Sequence, residues 1–96
     1  MDLYFVEHKH QPEACPAQDP EQGNYLLEHL SPGSARKHGV KLLADAVLDG
    51  KHQFKIILEA QNEEKVREFM KPFEMAGSLD IYPASNCETV VEREGC

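Results

Sequence analysis

The sequence predicts one α+β domain over residues 1–96, with strands and helices in the order β-α-β-β-α-β. Asp49-Gly50 is a strong signal for a two-residue hairpin, which would join strands at Val40 to Leu48 and Lys51 to Ala60. An amphipathic helix follows, because apolar residues recur at the spacing i, i+3, i+4, i+7, at Val66, Phe69, Met70 and Phe73. A hairpin followed by such a helix is typical of a sheet covered by helices.

The first half of the chain supplies one strand and one broken helix. Leu3 to His10 predicts a strand, in which alternate side chains share a face. Gln11 to Gly23 predicts a long loop, because it contains three prolines and almost no large apolar residue. Asn24 is a suitable N-cap for a helix that Ser31 to Ser34 interrupts, and a short second helical piece is expected over Ala35 to His38.

The second half ends with a further helix and one or two strands. Asn62 caps the amphipathic helix, and Pro72 should kink or restart it. Gly77 then ends the helix, and Ser78 to Pro83 predicts the fourth strand. Cys87 to Val91 is interpreted as a short fifth strand at the C-terminal end.

This order of elements is the split βαβ pattern of a ferredoxin-like sandwich, here with a short extra C-terminal strand. The expected sheet order is 4-1-3-2, with both helices on one face. Because the strands have apolar residues on both faces, the other face should be covered by a partner. We therefore expect a symmetric homodimer that packs sheet to sheet.

Composition excludes several classes of partner. The formal net charge of −7 argues against nucleic acid and against anionic membrane surfaces, since both require a basic patch. No apolar run approaches the roughly 20 residues that span a bilayer. The N-terminal residues do not have the pattern of a secretory signal, so the expected compartment is the cytoplasm. Three cysteines without a CxxC pair do not form a disulfide framework there.

The strongest chemical signal is the pair of histidines at the end of the first strand. His8 and His10 would share one face, with Cα atoms roughly 6–7 Å apart, which is close enough to bind one metal ion. Cys15 follows on the proline-rich loop and could fold back as a third ligand. In the expected topology the start of the third strand brings His52 to the same end. Imidazole and thiolate together suit zinc, nickel, copper or ferrous iron.

Simpler interpretations of the same residues stay open. His8 and His10 could be solvated at a strand end, and His52 could be an exposed residue beside the turn. Cys87 is expected to be a small buried apolar residue, and Cys96 to be exposed at the end of the chain. His29 and His38 are expected away from the site.

Parts of the second half resemble a known family. The segments that carry the resemblance are Ile57 to Ala60, Asn62 to Glu64, Phe69 to Phe73 and Gly77 to Pro83. They resemble the second half of the small ferredoxin-like dimeric α+β barrel proteins, which include uncharacterised families and a small nickel-binding branch. The resemblance implies a homodimer with a cavity between the sheets. Other branches are cofactor-free monooxygenases and haem-degrading enzymes, but none of their catalytic residues can be matched to this chain.

Three functions therefore compete. The first is a small dimeric metal-binding protein for storage, delivery or sensing, with ligands among His8, His10, Cys15 and His52. The second is a barrel-family enzyme, monooxygenase-like or metal-dependent, that acts on a small molecule in the dimer cavity, with Tyr4, His8 or His52 as acid–base or substrate-orienting groups. The third is a plain dimerisation module without chemistry.

Overall fold

A computed structural model describes residues 1–96, which form an α+β fold with one antiparallel sheet of four strands. The strands are β1 (Asp2–Lys9), β2 (Val40–Leu48), β3 (Gln53–Ala60) and β4 (Ser78–Ala84). The helices are α1 (Pro20–His29), α2 (Pro32–Lys37), α3 (Glu63–Phe69), α4 (Lys71–Glu74) and α5 (Cys87–Glu92). Two short 3₁₀ turns, Pro12–Ala14 and Pro16–Gln18, precede α1.

The strands lie in the order β2-β3-β1-β4, and each neighbouring pair is antiparallel. Read from the other edge, this is the order 4-1-3-2 expected from the sequence. Lys9 pairs with Gln53 in the β1–β3 ladder. The end of β1 therefore lies beside the start of β3, which brings the residues around His10 and His52 together as expected.

The core lies between one face of the sheet and the helices α3 and α4. Burial alternates along β1 and β3, because successive side chains of a strand point to opposite faces. The helical contribution is the predicted apolar stripe, in which Val66, Phe69 and Met70 are fully buried. Burying each such side chain contributes about 1.5–3 kcal/mol to stability. The sheet contributes Tyr4, Val6, Phe54, Ile56, Leu58 and Ala60.

Pro72 divides the second helical region as predicted. The helix α3 ends at Phe69, and α4 restarts at Lys71 with the proline in its first turn. Proline is tolerated there because the first amide groups of a helix have no intrahelical acceptor. Asn62 caps α3 through a side-chain oxygen that accepts the Lys65 N–H at 3.0 Å.

The predicted loop over Gln11 to Gly23 is wrong in its second half. The helix α1 starts at Pro20 rather than after Asn24, since Asp19 is the N-cap and its carboxylate accepts the Glu21 N–H at 3.0 Å. The prolines start helical turns rather than exclude them, because each stands at a first or second helical position.

The hairpin between β2 and β3 is also longer than predicted. Leu48 pairs with Gln53, so four residues rather than two form the connection. Lys51 donates its N–H to the Leu48 carbonyl at 3.0 Å. Gly50 has a φ of 71° and His52 a φ of 53°, so the chain closes with two residues in the left-handed region and not with a two-residue type I′ turn.

The predicted C-terminal strand is wrong, because the segment forms the helix α5. Asn86 is the N-cap, and its side chain accepts the Thr89 N–H at 2.9 Å. This cap and the acidic Glu88 in the first turn favour a helix over the extended form that Val90 and Val91 suggest. Cys87 is consequently exposed on the first turn, not buried as expected.

The sheet face opposite the helices is only partly covered. The β1 register places Phe5 beside Ile57 on one side and Tyr82 on the other, which forms an apolar row across three strands. Next to this row Lys55 and Glu7 form an ion pair at 2.9 Å. Ile57 is 37% exposed and Tyr82 is 48% exposed. None of the helices is long and apolar enough to cross a lipid bilayer.

Candidate metal site

Three separate segments bring two imidazoles and one thiol together at one end of the sheet. His10 directly follows β1, Cys15 joins the two 3₁₀ turns, and His52 directly precedes β3. One ligand atom from each residue lies within 4.8 Å of the others. All three side chains are half-buried, so the cluster is enclosed by protein on some sides and open to solvent on another.

The two imidazoles already have the spacing of metal ligands. His10 Nε2 and His52 Nδ1 are 3.2 Å apart, and the rings are nearly perpendicular at 78°. Two nitrogen atoms bound to one tetrahedral zinc ion are about 3.3 Å apart. The backbones are held together as well, because the His10 N–H donates to the His52 carbonyl at 3.2 Å. Little rearrangement is needed for both rings to bind one ion.

The backbone around Cys15 explains how the thiol reaches the histidines. The Cys15 N–H donates to the Pro12 carbonyl at 3.3 Å, and the Cys15 carbonyl accepts the Gln18 N–H at 3.2 Å. These bonds form two consecutive tight turns, which fold the loop back over the end of β1. In a tetrahedral site sulfur and nitrogen ligands are about 3.6 Å apart, so the thiol has to move by roughly 1 Å at most.

His8 lies beside this group but is not one of its three members. It is 2% exposed, and its ring centre is 5.4 Å from that of His10. Phe73 contacts the ring edge-on at 5.7 Å. His8 Nε2 and His10 Nδ1 are both buried without a hydrogen-bond partner. Such unpaired buried nitrogens are rare in folded proteins. This corner of the molecule therefore contains polar atoms whose hydrogen-bonding capacity is not used.

Burial favours the neutral form of His8 and His10 by lowering the pKa of each. Burial lowers the pKa of His8; a hydrogen bond to the Phe73 backbone opposes this shift, and the nearby His10 adds to it. Burial also lowers the pKa of His10, and the charge of His52 lowers it further. Neutral imidazole is the form that binds metal ions. The ligand lone pairs of His10 are therefore available at neutral pH without loss of a proton.

Gly77 supports the site from the other side, a role that the sequence did not indicate. A Cβ atom at this position would overlap the Lys9 carbonyl oxygen and lie 3.0 Å from the His10 Cβ. Only glycine lets the chain before β4 pass this close to the end of β1. The sequence marks Gly77 only as the end of a helix, because the close approach depends on the pairing of β1 with β4.

Tyr4 does not suit the role of a general base. Its side chain is 6% exposed in the core. Burial raises the pKa of the Tyr4 hydroxyl, and the carboxylates of Asp2 and Glu63 raise it further. A hydroxyl with a raised pKa stays protonated at neutral pH and is a poor general base.

The remaining two histidines form a second cluster on the helices. His29 Nε2 donates to the Phe69 carbonyl at 2.6 Å, and its ring stacks on Phe69 with centres 4.7 Å apart. His38 donates from Nδ1 to the Ser34 carbonyl at 2.9 Å, and its ring centre is 5.1 Å from that of His29. Both residues were expected away from the metal site, and the structure places neither among the three grouped ligands.

No protein-family model and no curated protein matches this chain. The assignment of a candidate metal site therefore rests on geometry. His10, Cys15 and His52 lie close enough to hold a metal ion, and His8 lies beside them.

Proposed function

We propose that this protein binds one divalent transition-metal ion through His10, Cys15 and His52. The observation that supports the proposal is the meeting of one ligand atom from each residue within 4.8 Å, although 42 positions separate His10 from His52. A metal ion would bind the thiol as thiolate and both imidazoles as neutral ligands, so binding releases a proton from Cys15.

The donor set favours borderline and soft metals. Two nitrogen atoms and one sulfur atom suit zinc, nickel, copper or ferrous iron. Magnesium and calcium prefer sites made of oxygen atoms. Zinc is the simplest occupant, because it accepts tetrahedral nitrogen and sulfur ligands without a redox change.

A role in storage, delivery or sensing fits the accessibility of the cluster. Three protein ligands leave a fourth coordination position, and all three side chains are half-buried. An ion held this way can exchange with solvent or with another protein. The same open position supports a second candidate, a metalloenzyme in which a water molecule or a small substrate takes the fourth place.

We further propose a homodimer of the ferredoxin-like dimeric α+β barrel type. Support comes from the sheet order and from the apolar row of Phe5, Ile57 and Tyr82 on the uncovered face. Two copies packed face to face would remove this row from water. Sedimentation equilibrium should give the mass of two chains for the wild type and of one chain for Ile57→Lys. A wild-type protein that sediments as one chain contradicts this part of the proposal.

The test of metal binding is elemental analysis of tag-free protein, followed by titration with zinc, nickel, copper and ferrous iron. We expect about one ion per chain for the wild type and none for the His10→Ala/His52→Ala variant. Cys15→Ser tests the thiol, and Cys87→Ser is its matched control, because Cys87 is an exposed cysteine outside the cluster. The proposal is overturned if the wild type binds no ion tightly. It is also overturned if Cys15→Ser binds the metal as tightly as the wild type and the bound metal has the same absorption spectrum in both proteins.

A further inference from the structure

A cleft lies among the helices, and none of the three grouped metal ligands lines it. It has a volume of about 690 Å³. The helix α1 forms one wall with Tyr25, Leu26 and His29, and the region of α4 forms the other with Pro72 and Met75. Small-molecule sites have volumes of roughly 300–1,000 Å³ and mostly apolar walls with a few polar groups. The cleft fits this description.

Two imidazoles lie among the polar groups of the cleft, beside Gln22, Glu68 and Lys71, and the backbone fixes which of their nitrogens carries the proton. His29 donates from Nε2 to the Phe69 carbonyl, and His38 donates from Nδ1 to the Ser34 carbonyl. A carbonyl can only accept, so these nitrogens carry the hydrogens. In the neutral rings His29 Nδ1 and His38 Nε2 are then left as acceptors. Both rings line the cleft, and their centres are 5.1 Å apart.

Flat and apolar groups surround these acceptors. The His29 ring is within 19° of parallel to Phe69 and within 18° of parallel to Tyr25. Tyr25 is 59% exposed and Met75 is 85% exposed, so two large apolar side chains at the cleft are accessible to solvent. A planar ligand that covered them would gain hydrophobic contact, and its ring could align with the aromatic stack.

Charge indicates a neutral ligand. Lys71 and Glu68 both line the cleft, and their formal charges cancel. An anionic ligand would be attracted by the Lys71 ammonium but repelled by the Glu68 carboxylate, and a cationic ligand would meet the reverse, so neither sign of charge is favoured. A ligand without a hydrogen-bond donor would leave the imidazole lone pairs unsatisfied.

From these observations we propose that the cleft binds a small neutral aromatic molecule with a hydroxyl group, of the phenol or naphthol class. The hydroxyl donates to Nε2 of the exposed His38, and the ring lies against Tyr25 and Met75. This site is independent of the metal site, so it does not rest on the proposed metal-binding function.

The probes are 2-naphthol and 2-methoxynaphthalene, which share the aromatic body but differ in the hydroxyl donor. Binding is followed by the fluorescence anisotropy of the probe, which is favourable because the chain has no tryptophan. We expect saturable binding of 2-naphthol, with amide NMR shifts at Tyr25, His29 and Met75. 2-Methoxynaphthalene should bind roughly five- to tenfold more weakly, which is the effect of one hydrogen bond.

The variant His38→Phe keeps a planar ring but removes both nitrogens, and His38 is exposed, so the fold should tolerate it. It should weaken 2-naphthol binding severalfold and leave 2-methoxynaphthalene binding unchanged.

Three results overturn the proposal: no binding of 2-naphthol up to about 1 mM, equal affinity for the two probes, or NMR shifts confined to residues outside the cleft. All measurements are made on metal-free and zinc-treated protein, so failure here is distinct from failure of the metal site.

Discussion

The five histidines of this protein form two clusters that meet at one aromatic side chain. Phe73 contacts His8 of the strand-end cluster, with ring centres 5.7 Å apart, and His29 of the helix cluster, with ring centres 6.4 Å apart. The strand-end cluster consists of His8, His10 and His52, and the helix cluster consists of His29 and His38. The two groups have similar ring spacings but different surroundings.

The difference lies in what the ring nitrogens contact. In the helix cluster each ring donates to a backbone carbonyl, which fixes its orientation and tautomer. In the strand-end cluster two nitrogens are buried without a partner, and the rings of His10 and His52 hydrogen-bond to each other. The comparison teaches that an imidazole becomes a potential metal ligand when the backbone leaves its nitrogens free and a thiol lies beside it.

The largest difference between the clusters should come from metal binding. At a free zinc concentration 100 times the dissociation constant, we expect wild-type stability to rise by about 2.7 kcal/mol. For a chain of this size the melting temperature should rise by roughly 10 °C or more. Differential scanning calorimetry with zinc and then with a chelator checks the rise and its reversal. Cys15→Ser should lose most of it, whereas Cys87→Ser should keep it; a full rise in Cys15→Ser contradicts the site.

A backbone change should disrupt the strand-end cluster alone. Gly77→Ala places a Cβ against the Lys9 carbonyl and the His10 Cβ, so the end of β1 has to move. We expect a loss of roughly 1–3 kcal/mol in the free energy of unfolding, together with weaker metal binding. Urea unfolding and zinc titration measure the two effects.

Gly33→Ala is the matched control for this change. Nothing lies within 4 Å of a Cβ at Gly33, which is in α2. Alanine there should raise stability by about 0.5 kcal/mol, because it favours the helix over the unfolded chain. If Gly77→Ala behaves like Gly33→Ala, the close packing against His10 is not important for stability.

The pH dependence of stability should also separate the clusters. Because the pKa of His8 and of His10 is lowered from 6.5 by burial, the folded protein binds fewer protons than the unfolded chain just below that pH. Stability is therefore fully present above about pH 6.5, falls as the pH drops below it, and levels off below the lowered pKa values. Urea unfolding of metal-free protein between about pH 5 and 8 should show this fall.

Replacing the most buried histidine should flatten that profile. His8→Phe keeps an aromatic ring against Phe73 and removes the group that must stay neutral. Its loss of stability on acidification should be smaller than that of the wild type. An unchanged slope in His8→Phe shows that another group causes the acid sensitivity.

The smallest effect is expected in the helix cluster. His29→Phe can still stack on Phe69 but loses the 2.6 Å hydrogen bond to its carbonyl. We expect a loss of about 0.5–1.5 kcal/mol and no change in zinc affinity. Chemical unfolding and zinc titration of the same variant check both statements. A drop in zinc affinity as large as that of Cys15→Ser would show that the clusters are coupled through Phe73.

The candidate site was partly predictable. The i, i+2 spacing placed His8 and His10 on one face of β1, and the strand order placed His52 beside them. The choice among these residues was not predictable, because it depends on where the rings point: His8 turns into the core beside Phe73, while His10 turns toward His52. The position of Cys15 depends on two 3₁₀ turns that the proline pattern suggested only as a loop.

The errors in local structure have related causes. The start of α1 was misplaced because Asp19-Pro20 was interpreted as part of a loop, although an acidic N-cap followed by proline is a good helix start. The segment Cys87 to Val91 was predicted as a strand from its β-branched residues, but the Asn86 cap determines a helix. In both places a capping side chain outweighed composition.

By itself the sequence determined the alternation of apolar residues along the strands and the apolar stripe along the helix. These two patterns place Val6, Ile56, Val66 and Phe69 in one core. They can be read from the sequence because side-chain periodicity is a local property of strands and helices. The sequence also determined which residue types are available as ligands. Only the tertiary structure decided that His10, Cys15 and His52 meet, that His29 and His38 form a separate pair, and that Gly77 has to be glycine. These contacts join residues far apart in the chain, and their geometry depends on strand register and on loop closure, which no local pattern encodes.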